Sequence, residues 1–278
     1  MILDGSFADY PITYPFQITR FRSLYEHRWD GKYLFLGESH NFWEFTCVLE
    51  GEVEAVLDGR IYLLKPGSFL CCPPMIFHSC RSVGVPSCLL NFSFVHTGTL
   101  PANLAEGVFA LAPAETDELK RIFYRLQDAL QKDAPDPDRG AEAAFAMSSF
   151  LIRLSRDHPF HDRPVKTRTG TVYQKLVTTM RASLYDNLTV QQIASRNAVS
   201  VTTMKELFRK YAGISPKRYY SDMRGVEAMR LLESGMEMVE IAEKLNYSSP
   251  NYFSYSFKKQ FGIPPGQYRR QYWERKKR

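Results

Sequence analysis

The sequence predicts an α+β chain of several domains: a small β-barrel or sandwich, then a helical hairpin, then an all-α domain with two helix-turn-helix units. Three observations predict it. Short apolar runs separated by turn residues fill positions 32–94, as in a small barrel or sandwich. Apolar residues fall at helical spacing over 114–132 and 141–156. Finally, one phrase occurs twice: Phe208-Arg209-Lys210-Tyr211-Ala212-Gly213-Ile214-Ser215-Pro216-Lys217-Arg218-Tyr219 and Phe257-Lys258-Lys259-Gln260-Phe261-Gly262-Ile263-Pro264-Pro265-Gly266-Gln267-Tyr268. Six identities in register make this one structural unit used twice.

Length and charge agree with that division. A chain of 278 residues suits two domains. Residues 166–278 carry 21 Lys and Arg against 9 Asp and Glu, whereas residues 1–165 carry 15 against 21. A basic segment of this size suits a polyanion, and the acidic segment does not. The five cysteines, Cys47, Cys71, Cys72, Cys80 and Cys88, form no CxxC pair and sit in apolar surroundings. They read as free, buried thiols of a reducing compartment. No signal peptide and no apolar run of 18 residues is present in the sequence, so a cytoplasmic chain without a membrane partner is expected.

In chain order, residues 1–30 read as a mixed arm. The clearest hairpin follows, with Asp58-Gly59 between Val53–Leu57 and Arg60–Leu64; Asp-Gly there predicts a type I′ turn. In the helical hairpin Leu119, Ile122, Phe123, Leu126 and Leu130 share one face. That face either packs on the barrel or pairs with a second copy of the chain. Pro159 and Pro164 mark a linker. The boundaries are therefore 1–110 for the barrel, 111–157 for the hairpin, 158–170 for the linker and 171–278 for the helical domain.

Each repeated unit reads as helix, turn, helix. Thr189 and Ser200 cap the two helices of the first unit, and Asn197-Ala198-Val199 makes its turn. Asn246 holds the turn of the second unit because Asn tolerates positive φ. In such units the second helix can lie in the DNA major groove. Its apolar face is committed to the core, which leaves Thr202, Lys205, Glu206 and Arg209 outward in one unit, and Ser249, Asn251, Tyr255 and Lys258 in the other. Lys205 can donate to guanine, Glu206 accept from cytosine, Asn251 pair with adenine and Thr202 touch a thymine methyl. Arg209, Lys210, Lys258 and Lys259 suit phosphate, while Arg224 can hold phosphate or act as an internal brace.

Residues 172–270 resemble the DNA-binding domain of the AraC/XylS family of bacterial transcription regulators. The resemblance rests on Ile193-Ala194, Ser200, Phe208-Arg209-Lys210, Gly213, Ser215-Pro216, Tyr219, Arg224, Ile241-Ala242, Tyr252-Phe253, Phe257-Lys258, Phe261-Gly262, Pro265 and Tyr268-Arg269. It departs at Asn246 and Tyr247, where the family has Gly and Phe, and at Gly225, mid-helix. The resemblance implies base reading by Thr202, Lys205, Glu206, Asn251 and Tyr255, and phosphate contacts from Ser200, Arg209, Lys210, Arg224, Ser249, Lys258 and Lys259. The order His40, Glu44, Gly51, then Gly67, Pro73, His78 resembles a cupin, the barrel such regulators carry as a sensor. The expected fold is thus a cupin-like β-barrel with a helical hairpin, followed by an all-α domain of two helix-turn-helix units.

Glu38 stands where a metal-binding cupin has its first histidine. His40, Glu44 and His78 suffice on paper for a three-ligand site with an open position, but the expected occupant is an organic effector, with no metal and no cofactor. If 38–45 is a regular strand, Glu38, His40, Phe42 and Glu44 share its pocket face. Trp43 is then a core aromatic, kept as a weaker pocket residue because a bulge would turn it inward. The resemblance implies a non-enzymatic regulator whose partners are double-stranded DNA, a small-molecule effector, RNA polymerase if it activates, and a second copy as a homodimer. The rival readings are a metal cupin enzyme fused to a DNA-binding domain, and a DNA-binding protein with no ligand.

Overall fold

A computed structural model describes residues 13–40, 42–74, 76–130, 135–158 and 167–276. The N-terminal part holds two antiparallel sheets. Strand β1 (Phe16–Trp29), β8 (Ser87–Gly98), β3 (Trp43–Glu50), β6 (Ser68–Cys72) and β9 (Val108–Ala110) lie side by side in that order. β2 (Leu34–Glu38), β7 (His78–Ser82), β4 (Val53–Leu57) and β5 (Arg60–Leu64) form the second sheet. The expected arm is corrected here: from Phe16 on it is a 14-residue strand paired with β8, Leu24 opposite Phe92. Residues 1–12 lie outside the described residues.

Strand periodicity sorts the side chains into two cores. Phe45, Cys47, Phe69, Cys71, Phe92 and Phe94 point away from the second sheet and pack against helices. Val53, Ala55, Leu64, Leu70, Cys72 and Leu89 face the space between the sheets. The β4–β5 turn is the expected type I′: Asp58 has φ 52° and Gly59 φ 76°.

Helices α1 (Pro113–Ala129) and α2 (Pro137–Asp157) lie on the first sheet. Leu119, Ile122, Phe123 and Leu126 are buried there, while Leu130 is exposed. Four of the five stripe residues thus pack on the barrel, and Leu130 stays outside that contact. The sheet's own apolar face lies within the same chain and takes up that burial.

The C-terminal part is helical throughout. Helix α3 (Arg168–Ala182) opens it, three residues before the expected boundary, with Thr167 accepting from the amide of Gly170 at 3.0 Å. The linker positions 159–166 lie outside the described residues. The first unit comprises α4 (Val190–Arg196) and α5 (Val201–Tyr211). A connecting helix, α6 (Pro216–Glu233), leads to the second unit, α7 (Met238–Lys244) and α8 (Pro250–Phe261), and α9 (Pro265–Lys276) closes the domain. Ser200, Ser215 and Ser249 cap their helices by accepting amide hydrogens at 3.0, 3.2 and 3.1 Å. Asn246 has φ 50°, as expected, and Ala198 holds the matching turn position at φ 54°. At Gly225 a Cβ would meet the terminal amide of Gln260 on α8, which would have to shift to admit it.

Candidate functional site

A cavity of about 410 Å³ opens between the two sheets. Its walls alternate along the strands. Ser23, Tyr25, His27 and Trp29 come from β1, Glu44 and Thr46 from β3, and Asn91 and Ser93 from β8. Phe35 and Tyr33, with Trp29 stacked on Tyr33 at 4.2 Å, make an aromatic side. Such a combination of apolar walls and few polar groups suits a small organic ligand. The β1 residues were not anticipated, although their every-second spacing from Ser23 to Trp29 was present in the sequence as the signal.

The expected polar group does assemble, by a different route. Residues 38–45 are not one strand: β2 ends at Glu38 and β3 begins at Trp43. The connection still brings Glu38, His40 and Glu44 together with His78. His40 stacks on Phe42 at 3.8 Å and stands edge-on to His78 at 4.9 Å. Glu44 faces both imidazoles, Nε2 of His40 at 3.4 Å and Nε2 of His78 at 3.3 Å, and accepts from the Asn91 amide at 3.1 Å. Burial alone would raise the Glu44 carboxyl, but the two imidazoles and Asn91 together hold it well below the usual carboxylate range. Burial works against a charged His78, yet Glu44 overrides it and pushes His78 above its ordinary value. Trp43 is the correction: regular alternation in β3 turns it to the other side, where it stacks on Phe45 at 5.8 Å in the core under the helices.

On the helical domain, Thr202, Lys205, Glu206, Arg209 and Lys210 are exposed on α5, and Asn251, Tyr255, Lys258 and Lys259 on α8. Met204, Leu207, Phe208 and Tyr211, and Phe253 and Phe257, are buried on the opposite faces. Arg224 makes contacts within the domain, which favours the brace. Its guanidinium donates to Asn187 and to the Leu245 carbonyl and lies 4.8 Å from the Tyr247 ring. The hydroxyls of Ser200 and Ser249 are engaged in capping.

The sequence held no sign of a contact between the two parts. Phe77 of the barrel meets Tyr219 of α6 at 4.7 Å, and Val56, Ile61 and Phe77 join the core of the first unit. Asp58 at the hairpin tip pairs with Arg181 of α3. Ser79 donates to the Tyr211 carbonyl at 3.1 Å. Beside this interface, Glu206, Arg209 and Lys210 form one wall of an open cleft, with Lys32, Tyr33, Leu34 and Arg81 of the barrel opposite.

A barrel enclosing a pocket and a pair of helix-turn-helix units define the class as a helix-turn-helix protein with an N-terminal pocketed barrel. Comparisons with known proteins agree. Residues 32–150 match the AraC-like ligand binding domain and residues 193–271 a helix-turn-helix domain. The chain belongs to the AraC family of transcription regulators. It is 33% identical to the HTH-type transcriptional regulator GbdR of Pseudomonas aeruginosa over 134 residues, 46% of this chain and 36% of that protein. It therefore spans about a third of that relative's length. It is 25% identical to the HTH-type transcriptional activator RhaS of Pectobacterium carotovorum over 253 residues, 85% of this chain and 88% of the relative. Among solved structures, ToxT of Vibrio cholerae O395 aligns with 90% of this chain and 96% of its own, at 12% identity and a TM-score of 0.38. Among the described residues, no helix is long and apolar enough to cross a membrane.

Proposed function

We propose that this chain is a sequence-specific, non-enzymatic regulator whose grip on DNA is set by an effector in the barrel cavity. One observation carries the reading: β7 belongs to both sites. His78 and Cys80 line the cavity, and Ser79 between them holds the end of α5. A ligand that moves His78 acts on the strand that steadies the first recognition helix. Effector binding then shifts the population between two arrangements of barrel and helices. Because Glu206, Arg209 and Lys210 border the barrel, such a shift changes their access to DNA.

Thr202, Lys205, Glu206, Asn251 and Tyr255 are the base readers in this reading, and Arg209, Lys210, Lys258 and Lys259 the phosphate anchors. Their exposure on the faces opposite the core supports those roles. Glu38, Phe42, Glu44 and His78 contact the effector in this reading, with Phe42 an apolar wall, and His40 stands behind them against Glu44. The protein works in the cytoplasm as a homodimer and, if it activates, meets RNA polymerase there. Exposed Tyr124, Leu130 and Phe145 on the helical hairpin support the second copy.

Selection of binding sites from a random duplex library by the full chain tests the reading. The expected outcome is two short base blocks about 10 bp apart, one helical turn, for one chain. Recovery of no enriched sequence would overturn it. Sedimentation at micromolar concentration, with and without the selected duplex, tests the dimer; a monomer in both would remove it.

A further inference from the structure

The two helix-turn-helix units are joined twice. The first link is α6, with Tyr219 and Tyr220 in the core of the first unit and Ala228, Leu231 and Leu232 in that of the second. The second link runs beside the helix. The side-chain amide of Asn187, in the loop between α3 and α4, donates to the Asn246 carbonyl at 3.3 Å. The Asn246 amide donates back to the Tyr185 carbonyl of that loop. Arg224, midway along α6, donates to the Asn187 side-chain oxygen and to the Leu245 carbonyl. Lys244 adds a cation over the Tyr185 ring, 5.5 Å from its centre.

Backbone conformation alone does not explain Asn246. Ala198 holds the matching turn of the first unit at φ 54°, against 50° for Asn246, so the turn forms without an amide. What the amide adds is the bond to Tyr185, which neither Gly nor Ala can make. Asn187 is also left-handed, at φ 52°, and both ends of its amide are engaged. The Leu245 carbonyl stands at the end of α7, where a helix leaves its acceptors unpaired, and Arg224 supplies the donor.

We propose that Asn187, Asn246 and Arg224 form a clasp that fixes α5 against α8, and with it the spacing of the two base blocks that one chain reads. The spacing role rests on the DNA reading above; the clasp itself does not. A helix of 18 residues such as α6 bends along its length, and a second tie beside it removes that freedom. One base pair added between two blocks turns the second by roughly 35° and moves it about 3.4 Å along the axis. A hinged pair of recognition helices follows that change, and a clasped pair does not. Asn187 and Asn246 are therefore positioning residues, acting through the helices on the distance between blocks.

The test uses the full chain with Asn187→Gly, Asn246→Gly and Asn246→Asp. Gly and Asp both accept the left-handed conformation, and Asp keeps the side-chain size but cannot donate to Tyr185. Both positions are exposed, so no core is opened. Binding is measured on the selected duplex and on duplexes with one or two base pairs added or removed between its blocks. A changed spacing should weaken the unaltered chain about tenfold or more, as a mismatched base pair does. Each variant should reduce that penalty severalfold while base preference within each block stays as it was. An unaltered chain indifferent to spacing, or variants with its full penalty, would overturn the spacing role; a purely structural role would weaken every spacing alike. Amide exchange without DNA tests the clasp separately. Asn246→Asp should quicken exchange over residues 183–188, and Asn187→Gly over 244–247. Exchange that stays unchanged across the contact in both would overturn the clasp. Transmitted exchange with no enriched duplex would instead overturn the DNA reading, and the spacing role with it.

Discussion

The hydroxyl of Ser79 donates to the backbone carbonyl of Tyr211 across 3.1 Å, and both residues are buried. Tyr211 is the last residue of α5, where a helix carbonyl has no partner of its own. A barrel strand thus completes the end of a recognition helix. Ser79→Ala should cost about 1 kcal/mol, the net value of one such bond, in a denaturant titration. Amide exchange over residues 209–213 should quicken in the variant while that of α8 stays unchanged. Identical exchange at both helices would show that the bond does not steady α5.

Readers and anchors differ on α8. Asn251 lies in its first turn, exposed, and Lys258 two turns on. Asn251→Ala should lose about 1–3 kcal/mol on the selected duplex and relax preference at one position. Lys258→Ala should weaken all duplexes alike and lower the salt slope by about one unit. Filter binding at several salt concentrations measures both. The reverse pattern would mean that α8 is rotated differently on DNA.

Ala198 occupies a left-handed conformation at φ 54°, in the place that Asn246 holds in the second unit. A Cβ there costs roughly 1–2 kcal/mol, and the residue is exposed, so little packing is lost by removing it. Ala198→Gly should therefore stabilise the chain by about 1 kcal/mol, somewhat reduced by glycine's extra freedom when unfolded. A lower melting midpoint would show that the methyl group has a role in packing.

The thiols give a direct check on the barrel core. Burial pushes Cys47 up to about 12, and burial with the nearby Glu44 charge does the same for Cys80. Cys71 and Cys72 lie well above the ordinary thiol range for the same first reason, burial. The thiolate is the reactive form. At pH 9 a thiol with a pKa near 12 holds on the order of a thousandth of its population as thiolate, against most of a free one. Labelling by a thiol reagent should be slow in the native chain and fast in denaturant. Rapid native labelling of Cys71 or Cys72, located by mass spectrometry, would contradict the packing of β6.

Much of the architecture was legible in the sequence. The repeated phrase located both helix-turn-helix units, and the spacing of Met204, Leu207, Phe208 and Tyr211 told the buried face of α5 from the exposed one. The Asp58-Gly59 turn was legible as well. The first strand was not recognised, because Pro11 and Pro15 and its mixed polarity masked an alternation in which two of the inward residues, Ser23 and His27, are polar. A pocket wall lacks the apolar signal on which such a reading depends.

What the sequence by itself determined is local: helix faces, caps, turns and the order of the elements, all of which depend on residues a few positions apart. Tertiary structure alone decided three matters. It closed the stripe of α1 onto the barrel, and it drew Arg224 inward to Asn187 and Leu245. It also joined β7 to α5 through Ser79 and Tyr211, 132 residues apart. The physical reason is common to all three. An exposed apolar or charged side chain has many surfaces it could satisfy, and only the packed chain shows which one comes within reach.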